Sequence, residues 1–326
     1  MAEITHIVDV QLTEEDLSDA LRADVLRGLT GPRKWLPSKW FYDARGSKLF
    51  EAITELPEYY PTRTERTLLR HCADAIAAAA AEAGELIELG SGSSEKTRLL
   101  LTALSTHGSL KSYLPQDVSE SALRAAAEWI NAEFPALAVH GVVSDFTSML
   151  PGLPRGGRRI IVLLGGTIGN LTPAERSEFF RCVHDGLEPG EQLLLGVGLV
   201  TDPAVMVPAY DDAAGVTAEF NRNILRVLNN RLGADFEPDR FAHIAVWDAE
   251  HEWIEMRLEA TADMSVTIAD LDLVVDFTAG EQLRTEISAK FRLAGLHAEL
   301  DAARLGVQHS WTDPDDRFAL VLAARR

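Results

Sequence analysis

Leu17, Leu21 and Val25 recur at helical spacing within EEDLSDALRADVLRG, so the pattern predicts a short amphipathic helix over residues 14–28. The regularity then breaks. Residues 35–64 carry three prolines and seven aromatics, too irregular for one helix and too apolar for a flexible linker, and are expected to pack against the rest of the protein. From about residue 66 an alanine-rich helical run leads into the apolar ELIEL and a glycine turn, GSGSSEKT, followed by another helical stretch.

That order then repeats. YLPQDVS, VHGVVSDF, RRIIVLLGG and EQLLLGVGLV read as strands, with ESALRAAAEWINAEF and PAERSEFFRCVHDGL as helices among them. Strands alternating with helices predict an α/β fold, with a doubly wound, mostly parallel sheet covered on both faces. The alternation stops after Val200. There a helical region gives way to strands with alternating polarity, WIEMRLEATADMSVTI and LRTEISAKF. The chain closes in its earlier style, with the helix LAGLHAELDAARLG, a short strand around SWTD and the apolar strand RFALVLAARR. These last residues are expected to rejoin the parallel sheet, which makes the middle region an insertion that builds a second, α+β domain.

Composition narrows the function classes. Fifty acidic against 31 basic residues give a formal net charge of −19, which opposes binding to phosphate backbones and to anionic membranes. No nucleic-acid or membrane partner is expected. Cys72 and Cys182 sit in no metal-ligand spacing and the nine histidines are scattered, so no metal is expected either. The N-terminal residues lack the order of a signal peptide, and no apolar run reaches membrane-spanning length. A cytoplasmic protein, taken as a monomer, is the expectation.

Candidate chemistry begins at Glu88-Leu89-Gly90-Ser91-Gly92, a strand end that leads into a helix and so sets backbone N–H groups beside a ligand. A lone GxG fits a tight turn equally well. Asp117 ends the next strand, near the ~20-residue offset at which an acid meets ribose hydroxyls, and Asp145-Phe146 ends the third, suited to an adenine amino group and ring face. Either acid would also serve as a helix cap. A dinucleotide fold calls for a small residue at position 95, which is Glu, and an acid there repels pyrophosphate. S-adenosylmethionine has no phosphate and carries a positive sulfonium. The GxxxxGK[ST] spacing of a P-loop is absent around Lys96.

The runs KWFYDARGSKLFEAITELPEYYPTRTE, ELGSGSSEKT, GGTIGNLTP, AYDDAAGVTAEFNRN and TEISAKF together resemble the histidine-specific Nα-methyltransferases of ergothioneine biosynthesis, over nearly the whole chain. The resemblance implies a class I methyltransferase domain over residues 60–200 and 291–326 and a substrate domain over residues 1–59 and 201–290. It implies S-adenosylmethionine as methyl donor and L-histidine as substrate, methylated three times to hercynine. Carried over by motif, the cofactor would meet Gly90, Lys96, Asp117, Asp145 and Phe146, with Tyr42 and Phe50 closing over the reacting groups. The substrate carboxylate would be held by Tyr59, Asn170 and Tyr210, next to Gly165, and the imidazole by Glu286 and Ser288. Two positions, Gly166 and Ala289, depart from the family's serine and cysteine.

Methyl transfer from a sulfonium is an in-line displacement by an amine lone pair, so alignment is the main task and no triad or metal is required. Tyr42, orienting the lone pair, and Asn170, whose amide can donate to a carboxylate without adding charge, are the residues closest to catalysis on this reading. Glu286 and Ser288 lie two apart in an expected strand and share one face. By pattern alone that face is as ordinary as any solvated one, and Met256 on IEMRL fits core filler as well as a wall beside a ring. An N-methyltransferase for another amino acid, such as an indole-bearing one, and a non-catalytic S-adenosylmethionine sensor are the competing readings.

Overall fold

The computed structural model describes residues 7–92, 94–145 and 157–326. The chain divides into two compact units. The first comprises the described parts of Met1–Thr13, Thr64–Leu199 and Phe291–Arg326, and the second Glu14–Arg63 with Val200–Lys290.

The first unit is built on strands β1 (Ile7–Val10), β2 (Glu85–Leu89), β3 (Ser112–Asp117), β4 (Ala138–Val143), β5 (Arg159–Leu163), β6 (Gln192–Gly198), β12 (Leu305–Thr312) and β13 (Phe318–Arg325). They form one sheet in the order β1-β4-β3-β2-β5-β6-β13-β12. Pairing is parallel from β1 to β6, and β13 runs antiparallel to β6. This is the doubly wound class I methyltransferase order. β2, β5 and β6 are buried at every position, as strands covered on both faces must be.

Helices α4 (Thr97–His107), α5 (Glu120–Glu133) and α6 (Pro173–Gly186) provide crossovers. α5 starts on a Ser119 cap, and α6 on a Thr172/Glu175 capping box. Because the chain winds from β2 out to β4 and then returns to β5 on the other side of β2, the carboxyl ends of β2 and β5 flank a topological switch point, where open α/β sheets hold ligands.

The amino terminus departs from the expected division. Ile7–Val10 is paired in parallel with β4 at the sheet edge, so these residues do not join the rest of residues 1–59. Four residues bounded by polar neighbours carry no periodicity that marks a strand. The final helix, α9 (Leu293–Ala302), also ends earlier than the pattern suggests, because Arg304 takes a positive φ and Leu305 already starts β12.

In the second unit, β7 (Phe241–Asp248), β8 (Trp253–Ala260) and β11 (Gln282–Ala289) form an antiparallel sheet in the order β11-β8-β7, and β9 (Met264–Ile268) pairs with β10 (Leu273–Phe277). Helices α1 (Glu14–Leu29), α2 (Ala44–Thr54) and α8 (Val216–Leu232) share a core with them that includes Leu21, Phe41, Ile224, Leu228, Ile254 and Leu258. The aromatic-rich segment does pack as expected. Leu36 N–H donates to Arg284 O at 2.8 Å and Arg284 N–H to Lys34 O at 3.0 Å, which stitches residues 34–36 to β11.

Candidate active site

In the first unit the turn after β2 takes positive φ at both Gly90 and Gly92, at 62° and 51°. Glycine reaches that region without strain. The turn is tied to the end of β3, because Gly92 N–H donates to Asp117 Oδ2 at 2.9 Å and Ser91 N–H to Gln116 O at 3.0 Å. Asp117 Oδ1 accepts from Ser119 N–H at 2.9 Å, so its carboxylate is held by backbone donors on both oxygens. Burial pushes the Asp117 carboxyl above its ordinary range, against the hydrogen bonds from Gly92 and Ser119. Asp145 follows β4, half-buried, while Phe146 lies outside the described residues.

The turn suits an adenosyl ligand. A Cβ placed on Gly92 would meet no atom within 4 Å. The buried Ser91 hydroxyl has no partner among the described residues. Each oxygen of a carboxylate that already accepts one N–H keeps a lone pair for a ribose hydroxyl. Among the described residues there is no cluster of three or more groups that would hold a metal ion.

The loop after β5 carries Gly165, Gly166 and a 3₁₀ turn, Thr167–Asn170, that ends on Asn170. Both glycines have positive φ, 77° and 70°, so the loop turns sharply away from the sheet. Gly165 N–H donates to Glu65 Oε1 at 2.7 Å, and the other oxygen of this fully buried carboxylate pairs with Lys96. Glu65 thereby links the lysine that follows the β2 turn to the loop that follows β5. Sequence reasoning missed it, since a lone Glu in a helical run reads as surface.

Glu88, at the base of the β2 turn, is buried and accepts hydrogen bonds from Thr97 and Tyr113 hydroxyls. Burial raises its carboxyl to about 7, with the two hydroxyls and Lys96 acting in the opposite sense.

In the second unit, Tyr42 follows a 3₁₀ turn, Ser38–Phe41, and Asn223 on α8 donates to Phe41 O at 3.2 Å and Asp43 Oδ1 at 2.8 Å, bracketing it. Tyr42 is 38% exposed. Tyr42, Phe50, Tyr59 and Tyr210 form a chain of edge-on rings with centroid separations of 5.6, 6.1 and 6.3 Å. Tyr210 is placed by its surroundings. Its carbonyl lies 2.8 Å from His243 Nε2, and Asp212, two residues on, caps α8 by accepting from Thr217 N–H at 2.7 Å.

Tyr210 Oη lies 2.8 Å from Ser288 Oγ. A register shift in β11 falls between Arg284 and Glu286, after which Glu286 stands opposite Met256 on β8 and Ser288 opposite Ile254. Cross-strand partners share a face, so Met256, Glu286 and Ser288 belong to one surface. Burial pushes the Tyr210 hydroxyl well above its ordinary range, the Glu286 charge adds to this, and Ser288 opposes it. Tyr59, Tyr210, Met256, Glu286 and Ser288 are therefore brought together in the second unit, whereas Gly165 and Asn170 belong to the β5 loop of the first. Lys290, buried beside Ser288, was not anticipated, although its period-2 spacing from Glu286 and Ser288 was visible in TEISAKF.

The model of the family described as histidine-specific, SAM-dependent methyltransferases matches residues 21–325. The chain belongs to this family. It is 52% identical over 315 residues to a histidine N-alpha-methyltransferase of Mycolicibacterium smegmatis, covering 96% of this chain and 98% of the relative. A histidine N-alpha-methyltransferase of Mycobacterium tuberculosis is 51% identical over 306 residues, covering 94% and 95%. Ergothioneine biosynthesis protein 1 of Neurospora crassa is 32% identical over 234 residues, which span 70% of this chain and 26% of that protein. Methyltransferase family membership agrees with the sheet order and with a glycine turn suited to a phosphate-free ligand. No helix among the described residues is long and apolar enough to cross a membrane.

Proposed function

We propose that this chain transfers methyl groups from S-adenosylmethionine to the α-amine of L-histidine, three times, giving hercynine for ergothioneine biosynthesis. The observation that carries the substrate assignment is the Glu286–Ser288 pair on one face of β11, with Tyr210 Oη 2.8 Å from Ser288 Oγ. A carboxylate and a hydroxyl on one face match the N–H and the lone-pair nitrogen of a neutral imidazole. Family membership and the names of two relatives with about half their residues identical support the same substrate.

The first unit is the cofactor domain on this reading. Asp117 accepts the ribose hydroxyls, Asp145 and Phe146 meet the adenine, Gly90 lets the backbone approach, and Lys96 lies at the amino end of α4. Tyr42 and Phe50 cover the reacting groups. When bound, S-adenosylmethionine supplies an electrophilic methyl on a positively charged sulfur. The chain's own work is alignment. In the first unit Asn170 offers an amide donor to a carboxylate and Gly165 shapes its loop; in the second unit Tyr59 donates to the substrate carboxylate beside Tyr210, Met256 walls the imidazole, and Tyr42 orients the amine lone pair. The protein acts as a cytoplasmic monomer on this reading, and its net charge of −19 opposes nucleic-acid and anionic-membrane partners.

Mass spectrometry of the products formed by the purified protein from S-adenosylmethionine and an equimolar mixture of the twenty amino acids tests this. Histidine carrying one, two and three added methyl groups is the expected result. Methylation of tryptophan in its place would redirect the substrate, and cofactor binding without any transfer would make the chain a sensor.

A further inference from the structure

Glu286, Ser288 and Lys290 follow one another at every second position, so all three project from one side of the extended chain. Lys290 is 7% exposed. Its ammonium lies 2.7 Å from Tyr210 Oη and 2.9 Å from Ser288 Oγ, and with the 2.8 Å between the two oxygens this closes a triangle of hydrogen bonds. The Lys290 backbone is also held, since its N–H donates to Glu252 O at 2.8 Å. Nothing in the assigned roles of Tyr210 and Ser288 requires a buried cation behind them, and burying one is costly unless it is paired.

We propose that Lys290 is a positioning residue of the substrate site, which makes Tyr210 and Ser288 present a hydrogen-bond donor, and not an acceptor, to the substrate. The proposal rests on the reading that these two hydroxyls face histidine.

The available protons decide which way these bonds run. An ammonium donates and cannot accept, so both oxygens accept from Lys290. Two hydroxyl protons remain. One is consumed between Tyr210 and Ser288, whichever of them donates, and the other has no place inside the triangle. It points outward. Without Lys290 both oxygens regain a lone pair, and the pair can accept as readily as donate.

The charges facing the group agree with this assignment. Burial lowers the Lys290 ammonium from its ordinary range, while Tyr60 from α3 (Tyr60–Ala79) and Glu286 from β11 act to keep it protonated. Tyr210 stays a neutral phenol, since burial and Glu286 both disfavour its anion.

A fixed outward donor beside the Glu286 carboxylate gives the surface one donor and one acceptor. A neutral imidazole offers the complement. Pyrrole and indole rings offer an N–H and no acceptor nitrogen, so they would leave the outward proton unpaired. Selectivity for an acceptor nitrogen is thereby assigned to a residue that does not itself touch the ring.

The test compares histidine with β-(pyrrolyl)alanine, an N–H-only analogue of similar ring size, in wild-type protein and in Lys290→Met. Wild type is expected to prefer histidine by at least tenfold in kcat/KM. Lys290→Met is expected to raise KM for histidine roughly 10- to 100-fold and to shrink that preference, with S-adenosylmethionine affinity unchanged by calorimetry. A folded variant with unaltered KM and selectivity would overturn the proposal. So would wild-type protein that turns over the pyrrole analogue as readily as histidine, and this arm decides even where Lys290→Met does not fold. Absence of any histidine methylation by wild type would instead overturn the underlying functional reading.

Discussion

Gly165 donates its backbone N–H to Glu65 Oε1 at 2.7 Å across 100 residues of sequence. Through its second oxygen the same carboxylate holds Lys96, so two loops at the switch point of the sheet are clamped by one buried side chain.

Glu65→Ala would orphan the Gly165 N–H and leave a three-quarters-buried lysine without its counterion, at a cost of about 3 kcal/mol. Melting temperature should fall, and S-adenosylmethionine affinity should weaken with it. Gly196→Ala should give the same phenotype from the opposite side, since its Cβ would stand 2.2 Å from Glu65 Oε1. A Gly196→Ala protein with wild-type melting and affinity would mean that Glu65 moves at no cost.

Asp117→Ala removes the acceptor for Gly92 and Ser119 N–H groups as well as the proposed ribose contact. Affinity for both S-adenosylmethionine and its demethylated product should drop by about tenfold or more. Calorimetry on a folded variant checks this, and unchanged affinity for both ligands would remove Asp117 from the site.

Glu88 supplies a pH signature of stability. Its folded-state pKa is raised to about 7 from 4.5, so the stabilisation belongs to the protonated form. It is fully present below about 4.5 and is lost as pH rises through about 7. Glu88→Gln should flatten this dependence, gaining on wild type with rising pH by up to about 3 kcal/mol. Parallel melting curves for the two proteins across that window would show that Glu88 is not the group responsible.

Glu286→Ala should depress histidine kcat/KM by about 10- to 150-fold, the range for a hydrogen bond to a charged partner, with cofactor affinity nearly unchanged. Selectivity over tryptophan and phenylalanine should narrow, because an apolar ring would no longer be set against a carboxylate. Full retention of selectivity in a folded variant would return Glu286 to an ordinary strand face.

The pH-rate profile should follow the substrate amine. His243, the histidine next to Tyr210, has Nδ1 2.8 Å from Asn221 Nδ2 and Nε2 2.8 Å from Tyr210 O, so both nitrogens are engaged. Burial lowers its pKa and keeps it neutral. First-methylation kcat/KM should therefore rise with pH through the α-amine titration. A profile governed by an enzyme group near the ordinary histidine pKa of about 6.5 would reveal a base elsewhere.

Much of this protein was legible from residue order alone. Near-continuous apolar strands between amphipathic helices point to a covered parallel sheet, because strands buried on both faces carry no polar alternation, and β5 and β6 are of that kind. Strand ends followed by glycine or an acid marked Gly90, Asp117 and Asp145, since each lies a few residues from a periodic run. The break after Val200 was visible for the same reason, as a change of period.

Only the tertiary structure decided which distant groups meet. Periodicity records which face of an element is buried and says nothing about its partner. Glu65 on a helix, Lys96 before the next one and Gly165 after β5 have no local relation that predicts a shared carboxylate. The edge pairing of Ile7–Val10 with β4 rests on backbone hydrogen bonds that any residues can make. The triangle of Tyr210, Ser288 and Lys290 joins the end of a short helical turn to a strand nearly 80 residues on, and its meaning lies in proton counting among buried groups, which exists only once burial has removed water as the alternative partner.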